Sequence, residues 1–268
     1  MATQNYDPNG LLYDPSRFTN VAGTSFSAPM VAGAAALVKQ RNPRFTPAQI
    51  KSALVNTASL RNLVDYDNDG QQTPARVTAV GAGKLNAEEA LKATVTADPA
   101  ALSFGIAGRL PVSRTLRLTN GGTSQTNLSL LVNQRDQDNN ARVVLGQSTV
   151  TLAAGASASI TIQLQGTLPR PGDYEGDIVV TGGGTEIRIP YVYFATANIA
   201  FIAFPLNGQN FTVVAGQTLE PRLVVKFVDS SRVPVANLPV RCRSIFGGGS
   251  IDDAPRETDE LGIAESRV

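Results

Sequence analysis

The chain has 268 residues, a formal net charge of +1 and 17% charged side chains, a balance that argues against nucleic acid or an anionic membrane as its main partner. A single cysteine, Cys242, excludes an intrachain disulfide and reads as a small buried strand residue. Length gives a prior of two domains or three small ones, and no stretch approaches the length of a membrane-spanning helix, so no membrane insertion is expected.

The opening Met1–Pro8 is polar and carries no apolar signal core, so Met1 is not expected to be the natural start. The first clear element follows Gly23-Thr24-Ser25. Val31 to Val38 is almost wholly apolar and mostly small, the pattern of a helix buried on all sides. Thr24 and Ser25 suit its entrance, and Pro29 is expected within the first turn or so, where a missing N–H costs little. Thr46-Pro47-Ala48-Gln49 opens a second helix with a capping threonine, proline at the first position and glutamine at the third. Ile50, Ala53, Leu54 and Thr57 share one of its faces. Asn86 with Glu89 makes another capping pair.

Between these lies Asp65-Tyr66-Asp67-Asn68-Asp69-Gly70. Carboxylates at alternate positions followed by glycine are the spacing of a calcium loop, in which every second oxygen is aimed at one ion. The twelfth position should be a bidentate glutamate and is Arg76. The competing reading is an acidic surface turn. Asp136 and Asp138, with only two carboxylates, read as a solvated turn.

From about residue 97 the period changes from helical to alternating. Candidate strands are 101–106, 114–120, 126–133, 142–145, 149–152, 157–164, 176–181 and 185–193, separated by turn-forming stretches such as Asn120-Gly121-Gly122 and Gly182-Gly183-Gly184. Leu116, Leu118, Leu128 and Leu130 alternate with polar residues, as half-buried antiparallel strands do. Seven or eight short strands in ~100 residues fit a β-sandwich. From about residue 197 come Val224–Asp229, Leu238-Pro239-Val240 and the turn Thr258–Ala264, in which Asp259 and Gly262 suit a hairpin.

Three of these segments carry a resemblance. Gly23-Thr24-Ser25-Phe26-Ser27-Ala28-Pro29-Met30-Val31-Ala32-Gly33 resembles the nucleophile motif of the subtilisin-like serine proteases, the subtilases. Thr46 to Ala58 resembles the segment that follows their serine helix, with Ile50, Lys51, Leu54, Thr57 and Ala58 in place. Gly81-Ala82-Gly83-Lys84-Leu85-Asn86-Ala87 resembles the segment that closes their catalytic domain. The resemblance covers about residues 12 to 95. It implies that Ser25 is the catalytic nucleophile of an Asp-His-Ser triad acting on polypeptide substrates. At the start of a helix, unpaired N–H groups and the positive end of the dipole favour developing negative charge.

The chain contains no histidine. A serine hydroxyl is a weak nucleophile until a base takes its proton, and the triad runs Asp, His, Ser along a subtilase chain. The Asp, the His and the oxyanion asparagine are therefore expected outside this chain, and Asn5, Asn9 and Asn20 sit too close to the serine motif to serve. Lys39 is nearly four helical turns from Ser25, too far to act as base. The chain alone is expected to be inactive.

The expected fold is multidomain. Residues 1–96 are the C-terminal portion of an α/β subtilisin-like domain with a mostly parallel sheet. Two all-β sandwich modules follow. Residues 97–196 resemble the fibronectin type III-like domains that follow many bacterial subtilase domains. Residues 197–268 resemble a bacterial Ig-like repeat of the invasin/intimin type, truncated at Val268. The resemblance implies a secreted or cell-surface bacterial protein, with an extracellular partner for the β modules and no required cofactor; calcium at Asp65, Asp67 and Asp69 is an expectation from their spacing alone, beside the acidic-turn reading. The rival reading is a non-catalytic, adhesin-like binding protein whose leading segment is a protease relic.

Overall fold

The computed structural model describes residues 22–66, 69–136, 140–208, 214, 216–217, 222–246, 250–251, 253 and 255–267. The chain opens with α1 (Thr24–Arg41) and α2 (Pro47–Asn56). The α2 start is a complete capping box. The Thr46 hydroxyl accepts from Gln49 N at 3.3 Å, and Gln49 Oε1 accepts from Thr46 N at 2.9 Å. A short hairpin follows, β1 (Val64–Tyr66) against β2 (Gln72–Pro74), then the single turns α3 (Val77–Val80) and α4 (Ala87–Lys92). Asn86 Oδ1 caps α4 through Glu89 N. A small core of Ala34, Val38, Phe45, Ala53, Leu54, Ala90 and Ala93 joins α1, α2 and α4.

The next residues form nine strands: β3 (Val95–Asp98), β4 (Leu102–Ile106), β5 (Val112–Asn120), β6 (Thr126–Gln134), β7 (Ala141–Leu145), β8 (Thr149–Leu152), β9 (Ser157–Gly166), β10 (Gly172–Gly182) and β11 (Thr185–Ala195). They make two sheets. One has the order β3-β5-β9-β7 and is antiparallel throughout. The other has the order β4-β11-β10-β6-β8, antiparallel except where β4 joins β11 in parallel. Their inner faces share one core. Leu116, Leu118, Ile160, Ile162 and Leu164 come from the first sheet; Leu128, Ile178, Ile187, Ile189 and Tyr191 come from the second. Burial on alternate residues is what the sequence period demands. The strands lie within two residues of the expected bounds, except that β10 begins four residues earlier. β3 was not anticipated, because its four residues sit where the helical period ends.

A third region holds the antiparallel sheet β12-β13-β14, of β12 (Ile202–Pro205), β13 (Leu223–Val228) and β14 (Ile263–Ser266). The turn into β14 is built by Asp259, whose Oδ1 accepts from Leu261 N and Ile263 N. Gly262 there has φ +72°, and a Cβ would stand 2.5 Å from the Phe227 carbonyl, so only glycine fits. The chain thus has an N-terminal helical segment and several β sheets, one of them mixed.

Three expectations need correction. α1 is not buried on all sides: Ala34 and Val38 are its buried residues, while Met30 is 68% and Leu37 48% exposed. Among the described residues, its packing against α2 and α4 is through its C-terminal half. Cys242 is exposed rather than buried, in a segment outside the strands, with Sγ 3.5 Å from Ser266 Oγ. Pro29 lies at the sixth helical position, in the second turn, where its missing N–H removes the bond to the Ser25 carbonyl.

Candidate functional site: the serine helix and its seat

Ser25 is the second residue of α1 and is exposed. The residue before the helix is Gly23, which brings no side-chain cap, so the cap is one residue earlier than Thr24. Its carbonyl accepts from Phe26 N at 3.0 Å and Ser27 N at 3.4 Å. The N–H groups of Thr24 and Ser25 precede the first intrahelical bond and have no acceptor within the helix. The serine hydroxyl therefore sits beside N–H groups that have no partner within the helix, at the positive end of a long helix. The start of a helix is a position that favours negative charge.

The chain has no histidine. Lys39 is committed at the other end of α1, where Nζ donates to the carbonyls of Pro43 (2.8 Å) and Phe45 (2.9 Å). The face of α1 around Ser25 is apolar and open, with Phe26, Met30 and Val31 exposed.

The acidic loop is the bend between β1 and β2. Asp65 Oδ1 accepts from Tyr66 N at 2.9 Å; Asp67 lies outside the described residues, as does Asp138. Among the described residues, no three His, Cys, Asp or Glu side chains converge as a metal site. Arg76, the twelfth loop position, turns away toward the two-sheet unit. Its Nη1 and Nη2 reach Asp136 Oδ1 (3.1 Å) and Oδ2 (2.9 Å), and Nη2 also donates to the Asp173 carbonyl. Nε lies 3.0 Å from Asp173 Oδ2 and 3.7 Å from Glu175 Oε2, ion pairs without hydrogen-bond geometry. Asp136 is therefore not a solvated turn residue, because it also accepts from Glu175 N. Burial works against the Arg76 charge, but the Asp136 hydrogen bond and the carboxylates of Glu175, Asp136 and Asp173 outweigh it, so its proton is held more tightly than usual.

Glu175 is the centre of this cluster, with its side chain 1% exposed. It accepts from Val77 N (3.0 Å) and Thr78 N (3.4 Å) at the start of α3, and from Arg135 Nη1 (3.0 Å). Arg135 in turn donates to the carbonyls of Pro74 and Ala75. A second set holds α2. Ser52 and Asn56, both buried, face β3 and β11 rather than water. No sequence signal marked them, because a serine and an asparagine one turn apart on a helix usually face solvent.

Residues 8–88 match the model of the subtilase family, Peptidase S8. Over 95 residues, 33% of this chain and 12% of the relative, the chain is 44% identical to the subtilisin-like protease SBT1.2 of Arabidopsis thaliana. Over 183 residues, 66% of this chain and 22% of the relative, it is 28% identical to the minor extracellular protease Vpr of Bacillus subtilis (strain 168). A third match, 43% identical over 88 residues, is the subtilisin-like protease SBT2.1 of Arabidopsis thaliana, of which the chain covers 11%. The chain spans less than a quarter of the length of these relatives. Its N-terminal part is similar to the subtilases, a family of serine proteases.

Proposed function

We propose that the chain is the serine-bearing part of a secreted bacterial subtilisin-like endopeptidase. Ser25 attacks the peptide carbonyl, and the acyl-enzyme is then hydrolysed. The Asp, the His and the oxyanion asparagine come from polypeptide outside this chain, so the chain alone is silent. The observation that carries this reading is Ser25 in the first turn of α1, beside N–H groups with no acceptor within the helix and an exposed apolar face of Phe26, Met30 and Val31. That face is what the base-bearing part of the domain would cover. Residues 97–196 and 197–268 act as a fibronectin type III-like module and a bacterial Ig-like module, which extend the protease toward extracellular partners. Asp65, Asp67 and Asp69 hold calcium.

The test is labelling of the 268-residue chain with a fluorophosphonate probe. Labelling no greater than that of Ser25→Ala supports a serine without its base. Strong labelling at Ser25 overturns the claim that the base lies elsewhere.

A further inference from the structure

The outward face of β10 and β11 is where a two-sheet unit ordinarily meets water. Here it carries Asp177 and Arg188, and the helical segment covers both, leaving their side chains 13% and 18% exposed. Arg188 Nη1 donates to Asp177 Oδ1 at 2.8 Å, while Nη2 donates to the carbonyls of Ala82 (2.6 Å) and Ala58 (3.4 Å). α2 is keyed into the same face. Asn56 Nδ2 donates to the carbonyls of Ala100 (2.7 Å) and Arg188 (2.8 Å). Asn56 Oδ1 accepts from Ser52 Oγ, which itself accepts from Ala97 N, both at 2.7 Å. Ser52 and Asn56 are buried, Asp177 and Arg188 are partly buried, and all four are paired; a buried group left unpaired costs its desolvation. The seat therefore has one favourable arrangement rather than a range of them.

α1 rests on this seated α2 through its C-terminal half. Ser25 is at the other end, roughly 20 Å along the helix from Val38. We propose that the two-sheet unit is a fixed seat for the serine helix, and that Asn56 and Arg188 are positioning residues that set where Ser25 points. Over that lever a tilt of about 3° moves Ser25 by about 1 Å, a displacement worth on the order of 10² in rate. The functional weight of this proposal rests on Ser25 as nucleophile; the geometry does not.

The test uses two spin labels on the whole chain: Ala32→Cys on α1 and Gln147→Cys in the turn between β7 and β8, with Cys242→Ser removing the native thiol. The expected result is one narrow distance distribution. Asn56→Leu and Arg188→Met should at least double its width. They should also speed amide exchange in α2 tenfold or more, with β5 and β9 still protected. Should those variants lose the fold, Ser52→Ala, which removes the two hydrogen bonds of Ser52 Oγ and leaves both bonds donated by Asn56 in place, should broaden the distribution by less. A broad distribution in the chain without these changes overturns the proposal. So do folded variants that keep the narrow distribution. The distances do not depend on protease chemistry, so failure of the Ser25 assignment would leave them unchanged.

Discussion

Glu175→Gln is the most informative single change in the buried charge cluster. The substitution keeps the shape of the side chain and removes its charge. One amide oxygen can still serve Val77 N and Arg135 Nη1, as Oε1 does. The amide nitrogen then replaces Oε2, which faces Thr78 N at 3.4 Å and Arg76 Nε at 3.7 Å, so donors meet a donor. Arg135 keeps its carbonyl contacts but loses its carboxylate partner. Charge-assisted hydrogen bonds contribute about 1.5–3 kcal/mol each, and breaking a buried pair from one side costs about 3–5 kcal/mol. The side chains of Arg76 and Arg135 are 29% exposed, so water recovers part of this. A loss of about 3 kcal/mol is expected. Urea unfolding followed by near-ultraviolet signal from the buried tyrosines should show it as a lower midpoint with an unchanged slope. The exposed pair of Glu88 and Lys92 on α4 is the control, and Glu88→Gln should leave the midpoint where it was. A Glu175→Gln loss below about 0.5 kcal/mol would refute the claim that this carboxylate holds α3 on the sheet.

Gly176→Ala should destabilise by about 2–3 kcal/mol in the same assay. The added Cβ would meet the Tyr191 ring and stand 2.5 Å from the Asn133 carbonyl. Asp177 should titrate above the ordinary aspartate value of 3.8, because burial raises it more than Arg188 lowers it. Between those two values the folded chain binds more protons than the unfolded one, so this group's contribution to stability falls as pH rises through that window. Carboxyl carbon shifts of Asp177 against pH check the midpoint, and a midpoint at or below 3.8 contradicts it. Calcium at the Asp65, Asp67 and Asp69 loop should raise the melting temperature, and a chelator should reverse the rise. Identical melts with excess calcium and with chelator would dispose of that site.

Much of the β architecture was legible because alternation has one cause. Leu116, Leu118, Ile160 and Ile162 can be buried only on one side of a strand, and the turn-forming glycines mark where each strand stops. The α2 start was legible for a similar reason, since Thr46 and Gln49 act through local backbone groups. What was not legible depends on partners distant in sequence. Arg76 read as the wrong residue for a calcium loop, and its partners Asp136, Asp173 and Glu175 lie sixty to a hundred residues away. Ser52 and Asn56 look like surface residues until β3 and β11 are set against them. The α1 composition gave its apolar character correctly, but composition does not say which neighbours are there to cover it.

The central proposal, that Ser25 is a nucleophile completed by polypeptide outside this chain, is tested most directly in the native protein. Fluorophosphonate labelling of the source organism's secreted fraction, followed by tryptic digestion, isolates the peptide of residues 18–39 that carries Ser25. The expected result is phosphonylation of Ser25 in a protein larger than 268 residues, abolished by Ser25→Ala. An unmodified peptide from a fully sampled protein, beside labelled serine hydrolases in the same fraction, would contradict it.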